Sequence, residues 1–311
     1  MLPGFLKRSI RGFAFPLIRG YVRYSPWRWG KVTIFRKIVE PYLYLRPREF
    51  TARTVDGMKV AGNSRDFIQS WIYFFGLTEP NLAHWLRRSL CPGDTFIDVG
   101  AHIGFHTLLA SKLVGSSGAV VAIEASPSTY EALQRNLALN RVKNVRAVNI
   151  AASDQRGRLK FYRGPNHDLG SSTIYPEVAK EGSQLEAEVE TAPLTEILSP
   201  TELKHARVIK IDVEGAEDAV VRGLAPALNT CREDLEVVVE IIPKFLSALN
   251  LKAEDVFRVF TDSGFNAYEL RAEYRPEPFL SGQRAARPAR IRQAIVCDAN
   301  VILSRRDAGE L

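Results

Sequence analysis

The sequence predicts an α/β fold with a mostly parallel, seven-stranded sheet covered by helices on both faces, preceded by a basic helical and hairpin extension. Three observations support this prediction. Strand-like and helix-like segments alternate from residue 94 onward. The strand-like segments are nearly continuous apolar runs, as is typical of parallel strands that are buried on both faces. Basic residues are concentrated in the first 50 positions, which sets that segment apart.

Length and composition exclude several classes of protein. The chain has 311 residues, of which 46% are hydrophobic and 25% charged, so it is neither disordered nor collagen-like. Its three cysteines are widely spaced and cannot build a disulfide scaffold or a zinc knuckle, which favours a cytoplasmic location. The longest stretch without a charged residue, 99–111, is too short to cross a bilayer.

The N-terminal segment is strongly basic. Residues 1–50 contain eleven Lys and Arg against two Glu, a net charge of +9, while the whole chain carries +7. Aromatic residues are interleaved with these cations over residues 1–45. One interpretation is a peripheral contact with an anionic membrane at its inner face. The favoured alternative is a helical subdomain that packs on the main body.

A hairpin and two helices follow this basic segment. Residues 50–63 form two alternating runs around Asp56-Gly57, a typical hairpin turn. Residues 66–90 carry apolar side chains at helical spacing. We therefore expect an extension over residues 1–65 and a main domain over residues 66–311.

The main domain alternates strands and helices. Its predicted strands are residues 95–99, 119–123, 145–150, 208–213, 235–241, 266–270 and 294–303. Its predicted helices cover residues 102–113, 128–139, 215–224 and 251–263. The long segment 151–207 is expected to insert at the ligand-binding edge and to hold an extra strand pair, residues 159–162 and 186–191.

The first predicted strand ends in a glycine-containing motif. In doubly wound sheets, ligands bind at the carboxyl ends of the strands. Asp98 lies at that end, and Gly100 allows the backbone to approach a ligand, while Gly104 allows tight packing of the following helix. Glu124 ends the second strand about twenty residues after Gly104, where an acidic side chain can accept the hydroxyls of a ribose.

The spacing of this motif separates two cofactor classes. Dinucleotide-binding loops have the pattern G-x-G-x-x-G, whereas Ala101 and His102 stand here near the place of the second glycine. A carboxylate at Asp98 would repel phosphates but suits the cationic group of an amino acid. The motif therefore favours S-adenosyl-L-methionine over NAD, with an NAD-dependent oxidoreductase as the alternative.

A second motif follows the fourth predicted strand. Asp212, Glu214 and Glu217 crowd one strand-to-helix turn around Gly215. An alcohol is a poor nucleophile, so a nearby base helps its reaction. We expect Asp212 or Glu214 to be catalytic, either orienting an acceptor hydroxyl or taking its proton. For Glu217, capping of the helix is an equally good explanation.

Two further ligand classes are weighed and not expected. His102 and His106 are spaced for one helix face, but they lack the third ligand and the acid of a zinc site, so no metal is predicted. Nucleic-acid methyltransferases are an alternative because of the basic arm. Base-flipping enzymes often carry a Pro-Pro-aromatic turn, whereas the corresponding place here is the acidic turn after Asp212.

At these residues the sequence resembles the FkbM-type methyltransferase family. The resemblance spans about residues 70–242, and its most specific part is Lys210–Glu217. The matching stretches are Gly76–Pro80, Pro92–Asp94, Ile97–Thr107, Glu124–Pro127, Asn136–Asn140 and Lys210–Glu217. One departure is His102, which stands where the family commonly has Asn.

The resemblance implies a class I, Rossmann-like methyltransferase domain that uses S-adenosylmethionine. It implies methylation of a hydroxyl on a sugar, glycolipid or other small-molecule acceptor, without a nucleic-acid partner. Asp212 would face the reactive methyl group, and Ala152 and Ser153 would lie near the adenine. The cofactor-binding residues that it implies are Asp98, Gly100, Ala101, His102, Gly104, Thr107, Glu124, Ala152 and Ser153.

Overall fold

The computed structural model describes residues 16–27, 29–39, 47–272, 279, 285–309 and 311, so much of the predicted basic arm lies outside the described residues. The chain divides into two compact units. The first comprises residues 1–80 and 273–285, and the second residues 81–272 and 286–311. This boundary comes later than the predicted one at residue 65, because Trp71 and Phe74 pack with Val22 and Phe35 in one apolar cluster.

The first unit combines helical segments with a hairpin. Residues 16–24 are helical, and the short helix Lys31–Ile34 continues as a π-helix over Phe35–Val39. The predicted hairpin is confirmed as β1 (Glu49–Arg53) and β2 (Lys59–Asn63), which pair antiparallel. Helix α1 (Phe67–Phe75) follows, and its N-terminus is capped by the Asp66 carboxylate, which accepts a hydrogen bond from the Gln69 amide at 2.8 Å.

The second unit holds the remaining strands and helices. Its strands are β3 (Thr95–Val99), β4 (Ala119–Glu124), β5 (Val145–Asn149), β6 (Ala151–Ser153), β7 (Gly157–Arg163), β8 (Gln184–Pro193), β9 (Ala206–Ile211), β10 (Glu236–Ile241), β11 (Asn266–Arg271), β12 (Ala289–Arg290) and β13 (Ala299–Ser304). With α2 (Pro80–Ser89), which begins at the boundary, its helices are α3 (Phe105–Val114), α4 (Pro127–Asn140), α5 (Leu194–Ile197), α6 (Pro200–His205), α7 (Glu217–Leu224), α8 (Pro243–Ala248) and α9 (Ala253–Asp262).

The main sheet has the order β12-β11-β13-β10-β9-β3-β4-β5. The five strands from β5 to β10 are parallel, and β13 runs antiparallel to both of its neighbours. The prediction of a mostly parallel α/β sheet is therefore confirmed. The predicted number of seven strands was one too few within the described residues, because the two-residue edge strand β12 is too short to leave a sequence pattern. The last long strand, β13, begins at Ala299 rather than at residue 294.

The insertion between β5 and β9 forms a second, three-stranded sheet of order β6-β8-β7. The predicted extra strand pair is confirmed as the antiparallel pair β7 and β8. Strand β6, which was not predicted, pairs parallel with the end of β8. This pairing satisfies the backbone of the chain where it leaves the main sheet after β5.

The central strands of the main sheet are buried on both faces. Every residue of β3, β9, β10 and β13 is buried, which explains their continuous apolar sequences. Five charged residues interrupt this pattern. Arg207 and Glu236 pair with each other at 3.0 Å, and the other three are Asp98, Lys210 and Glu240. Buried charges are rare unless they are paired, so these three residues mark a place with a purpose other than packing. None of the described helices has the length and apolarity needed to span a membrane.

We predict that Gly223→Ala destabilises the protein although alanine is the better helix former. A Cβ at position 223 in α7 would lie 2.1 Å from the carbonyl oxygen of Ser153, which is backbone and cannot swing away. The cost of such overpacking is about 1–3 kcal/mol, and it is measured by urea denaturation. The matched control is Gly20→Ala, also in a helix, where a Cβ would meet no described atom within 4 Å. An increase in stability for both variants would contradict this packing.

Candidate active site

Acidic side chains from four parallel strands meet at one edge of the main sheet. Asp98 and Glu124 lie at the carboxyl ends of β3 and β4, Asp212 directly follows β9, and Glu240 lies near the end of β10. This is the edge at which open α/β sheets bind their ligands. The two motifs, far apart in sequence, are brought together because β3 and β9 are neighbours.

Gly100 is required for the contact between the two motifs. Its φ is +82°, and a Cβ at this position would lie 1.8 Å from the carbonyl oxygen of Asp212. The Asp212 amide in turn donates a hydrogen bond to the Val99 carbonyl at 3.0 Å. The backbones after β3 and β9 therefore touch directly, and only glycine permits this approach.

The predicted start of the first helix at residue 102 was wrong. Helix α3 begins at Phe105, because His102 and Gly104 adopt left-handed conformations with φ of +50° and +92° in a turn that precedes it. A Cβ at Gly104 would lie 2.6 Å from the Leu133 side chain, so Gly104 allows close packing against α4. Ala101 is buried in the same turn, and its carbonyl accepts a hydrogen bond from the Gly104 amide at 2.9 Å.

Glu124 is buried and held by backbone amides. One carboxylate oxygen accepts from the His102 amide at 2.8 Å, and the other from the Ser126 amide at 2.9 Å. Burial raises the pKa of Glu124 to about 7, although these hydrogen bonds oppose the shift. A carboxylate has about four acceptor positions, so two remain for further donors such as the hydroxyls of a ribose.

Asp98 is 1% exposed and only partly satisfied. Its Oδ2 accepts a hydrogen bond from the Thr107 hydroxyl at 2.6 Å. Its Oδ1 lies 3.9 Å from the Lys210 ammonium and accepts no hydrogen bond from any residue that the structure describes. Burial raises the pKa of Asp98. An incompletely satisfied buried carboxylate oxygen fits a cationic donor such as the amino group of an amino acid.

Lys210 is the cation of this cluster. Its side chain is 3% exposed, and its ammonium donates a hydrogen bond to Asp212 Oδ2 at 2.7 Å. Burial opposes the negative charge of Asp212, but the Lys210 ammonium and a hydrogen bond with Glu240 hold the pKa of Asp212 below its ordinary value. Asp212 is only half-buried, so an ionised carboxylate faces the open edge of the sheet.

Glu214 and Glu240 complete the acidic group. Carboxylate oxygens of Asp212, Glu214 and Glu240 lie within 4.8 Å of one another. The pKa of Glu214 is raised well above its ordinary value, first by burial and then by the charges of Asp212 and Glu217. Lys210 already supplies a positive charge to this group, and the expectation that no metal binds stays a prediction.

Glu217 caps the turn that leads into α7. Its carboxylate accepts hydrogen bonds from the Val213 amide at 3.2 Å and from the Gly215 amide at 3.0 Å. These bonds hold the turn that precedes α7, and a role of Glu217 in capping the helix itself stays a prediction. Burial raises the pKa of this carboxyl to about 7.

Three further residues from the sequence analysis, Ala152, Ser153 and His106, are buried. Ala152 and Ser153 are buried in β6, and the Ser153 carbonyl lies against Gly223 of α7, so their proximity to an adenine stays a prediction. His106 is buried, and burial followed by the charge of Lys210 lowers its pKa to about 3, which keeps the imidazole neutral. Sequence analysis gave Glu240 no role, although an acidic residue inside an apolar strand was a usable signal.

Comparisons with known proteins agree with this geometry. The family model described as the methyltransferase FkbM domain matches residues 98–266. Methyltransferase sdnD of Sordaria araneosa is 28% identical over 216 residues, which cover 60% of this chain and 80% of that protein. Hexuronic acid methyltransferase AglP of Haloferax volcanii is 27% identical over a region that covers 61% of this chain and 71% of that protein. The 31-O-demethyl-FK506 methyltransferase FkbM of Streptomyces tacrolimicus is 29% identical over a region that covers 44% of this chain and 62% of that protein.

We predict that Glu217→Gln changes how stability depends on pH. In the folded protein the pKa of Glu217 is about 7, against 4.5 for an ordinary Glu. Between these values the folded state keeps a proton that the unfolded state releases, so this group's contribution to the free energy of unfolding falls as pH rises. The variant lacks this loss. Its free energy of unfolding, relative to that of wild type, should therefore rise by up to about 3 kcal/mol between about pH 4.5 and 7. Urea denaturation across this range measures the gain, and parallel pH curves for the two proteins would contradict it.

Proposed function

The chain belongs to the FkbM-domain methyltransferase family, whose methyl donor is S-adenosylmethionine, and we propose that it methylates a hydroxyl of a sugar, glycolipid or other small-molecule acceptor. The observation that carries the proposal is the Asp212 carboxylate, which is half-exposed and held ionised by a buried Lys210. The names of two relatives mention a hexuronic acid and 31-O-demethyl-FK506. These names support an oxygen-bearing small molecule as the class of acceptor.

The first motif has the groups that S-adenosylmethionine needs. When bound, this cofactor supplies an electrophilic methyl group on a positively charged sulfur. Glu124, with two acceptor positions left, would accept from the ribose hydroxyls. Asp98, with its unsatisfied Oδ1, would accept from the amino group of the methionine part. The turn at Gly100, Ala101 and His102 would line the cofactor. Gly100 and Ala101 have no side chain larger than a methyl group, so their backbone could approach the cofactor closely.

We assign different roles to the two acidic residues after β9. Asp212 is ionised and partly exposed, so it can accept the proton of an acceptor hydroxyl as that oxygen attacks. The raised pKa of Glu214 favours its protonated form, and a protonated carboxyl can donate a hydrogen bond that orients the acceptor. Lys210 and Glu240 contact Asp212 from the buried side and are positioning residues.

The direct test is product identification. The purified protein is incubated with S-adenosylmethionine that carries a labelled methyl group and with cell extract, and the labelled product is identified by mass spectrometry. We expect a methyl ether on a sugar, glycolipid or other small molecule, and no label in a parallel reaction with Asp212→Asn. Label recovered on nucleic acid, or on nitrogen or carbon of a small molecule, would overturn the proposal.

We predict that Glu124→Gln weakens cofactor binding and removes its pH dependence. Loss of charged hydrogen bonds costs about 1.5–3 kcal/mol, or about 10- to 150-fold in affinity. Since the pKa of Glu124 is about 7, the wild-type affinity should fall as pH decreases through 7 and the ionised acceptor is lost. Calorimetric titration with S-adenosylmethionine on both sides of this pH measures the effect. A wild-type affinity that does not change with pH would count against a charged ribose contact.

We predict that Asp212→Asn and Glu214→Gln separate chemistry from orientation. Asp212→Asn should lower kcat by about 100-fold or more, because general bases contribute about that much, while cofactor affinity changes little. Glu214→Gln keeps a hydrogen-bond donor but replaces the carboxyl that orients the acceptor. It should therefore mainly raise the KM for the acceptor and leave kcat less affected than Asp212→Asn does. Steady-state kinetics on the product identified above distinguishes the two effects. The opposite pattern would transfer the role of the base to Glu214.

A further inference from the structure

The first unit exposes a group of large apolar side chains within a short segment. Leu17 is 76% exposed, Tyr24 70%, Trp27 76% and Trp29 90%. A single exposed apolar residue is ordinary, but several together mark a surface that contacts something else. These four residues are called the aromatic patch below.

The helix that carries half of this patch has a fixed orientation. Leu17 and Tyr24 are two helical turns apart and therefore lie on the same face of the helical segment 16–24. Val22 lies in the apolar cluster of the first unit on the other side. The Arg19 guanidinium donates to the Tyr73 carbonyl at 2.8 Å and lies 4.1 Å above the Tyr73 ring. With that inner face anchored, Leu17 and Tyr24 stay exposed.

Hydrogen bonds hold the two tryptophans next to this helix. The Tyr21 hydroxyl donates to the Trp29 carbonyl at 2.6 Å, and Tyr21 itself packs against the apolar cluster of the first unit. The Trp27 amide donates to the Ser25 hydroxyl at 3.1 Å, and the Lys31 ammonium to the Ser25 carbonyl at 2.7 Å. The turn after the helix is therefore tied back to it, while both indole side chains stay exposed.

The charge of the sequence segment that contains the patch indicates its partner. Residues 1–50 carry a net charge of +9, and Arg36 and Lys37 are exposed beside Ile38, which is itself 48% exposed. Exposed Trp and Tyr combined with excess Lys and Arg match the headgroup region of an anionic membrane, where indole rings sit between lipid and water. We propose that the aromatic patch docks the first unit onto an anionic lipid surface, with Trp27 and Trp29 at headgroup level.

Intrinsic fluorescence of the full chain tests this docking without labels. The chain has four tryptophans, and the two outside the patch, Trp71 and Trp85, are only 2% and 4% exposed. A change of emission on binding therefore reports on Trp27 and Trp29. We expect a blue shift and co-flotation with vesicles of phosphatidylcholine and phosphatidylglycerol, both reduced by high salt. Vesicles of phosphatidylcholine alone should bind far less.

Paired variants assign the binding to the patch. Trp27→Ser combined with Trp29→Ser should weaken binding to the anionic vesicles by about tenfold or more. The matched control is Val296→Ser in the second unit, where an equally exposed apolar side chain, 81% exposed, is removed. Cofactor affinity should be unchanged in both variants, so the docking and the proposed methylation are tested separately.

Three outcomes would overturn the proposal. The first is a full-length protein that does not bind the anionic vesicles. The second is an unchanged affinity of the double variant, or an equal loss for Val296→Ser. The third is a concentration-dependent dimer, seen by sedimentation velocity, that the double variant abolishes, because the patch would then bind a second copy.

Quenching of wild-type tryptophan fluorescence by brominated lipids measures the depth of the indole rings in the membrane without any substitution. We expect this quenching to be strong.

Discussion

The site depends on one buried cation. Lys210 is the penultimate residue of the fully buried strand β9, and its ammonium lies 2.7 Å from Asp212 and 3.9 Å from Asp98. A lone ammonium in this position would be strongly unfavourable, and so would the carboxylates without it. The same charge thus stabilises a residue of the motif at the end of β3 and a residue of the motif that follows β9. The direct backbone contact at Gly100 keeps the two motifs at the distance at which one cation serves both.

Much of this fold was predictable because its strands are apolar runs that end at glycine or acidic residues. The bounds of β3 were predicted without error, and the pair β7 and β8 was recognised inside a long insertion. The start of α3 was missed because His102 and Gly104 were taken as its first turn, whereas both adopt left-handed conformations that precede the helix.

The composition of the candidate site was harder to predict than its place. The motifs pointed to Asp98, Glu124 and Asp212, and the structure brings these residues to one edge of the sheet. Sequence does not show which groups will touch across neighbouring strands, so the hydrogen bond of Glu240 with Asp212 had no signal beyond an acid in an apolar run. For the same reason Glu217 could not be separated from the catalytic acids until its bonds to the turn amides were visible.

The opposite pKa shifts of Asp212 and Glu214 follow from their neighbours. Asp212 faces the Lys210 ammonium, whereas Glu214 faces two other carboxyls, so the pKa of Asp212 is lowered and that of Glu214 is raised. Pairs of acids whose environments separate their pKa values are typical of acid–base chemistry. In the proposed reaction, protonation of Asp212 removes a negative charge while methyl transfer removes the positive charge of the donor sulfur. The total charge of the site would then stay constant, so that no uncompensated charge is left beside the buried Lys210 and Asp98.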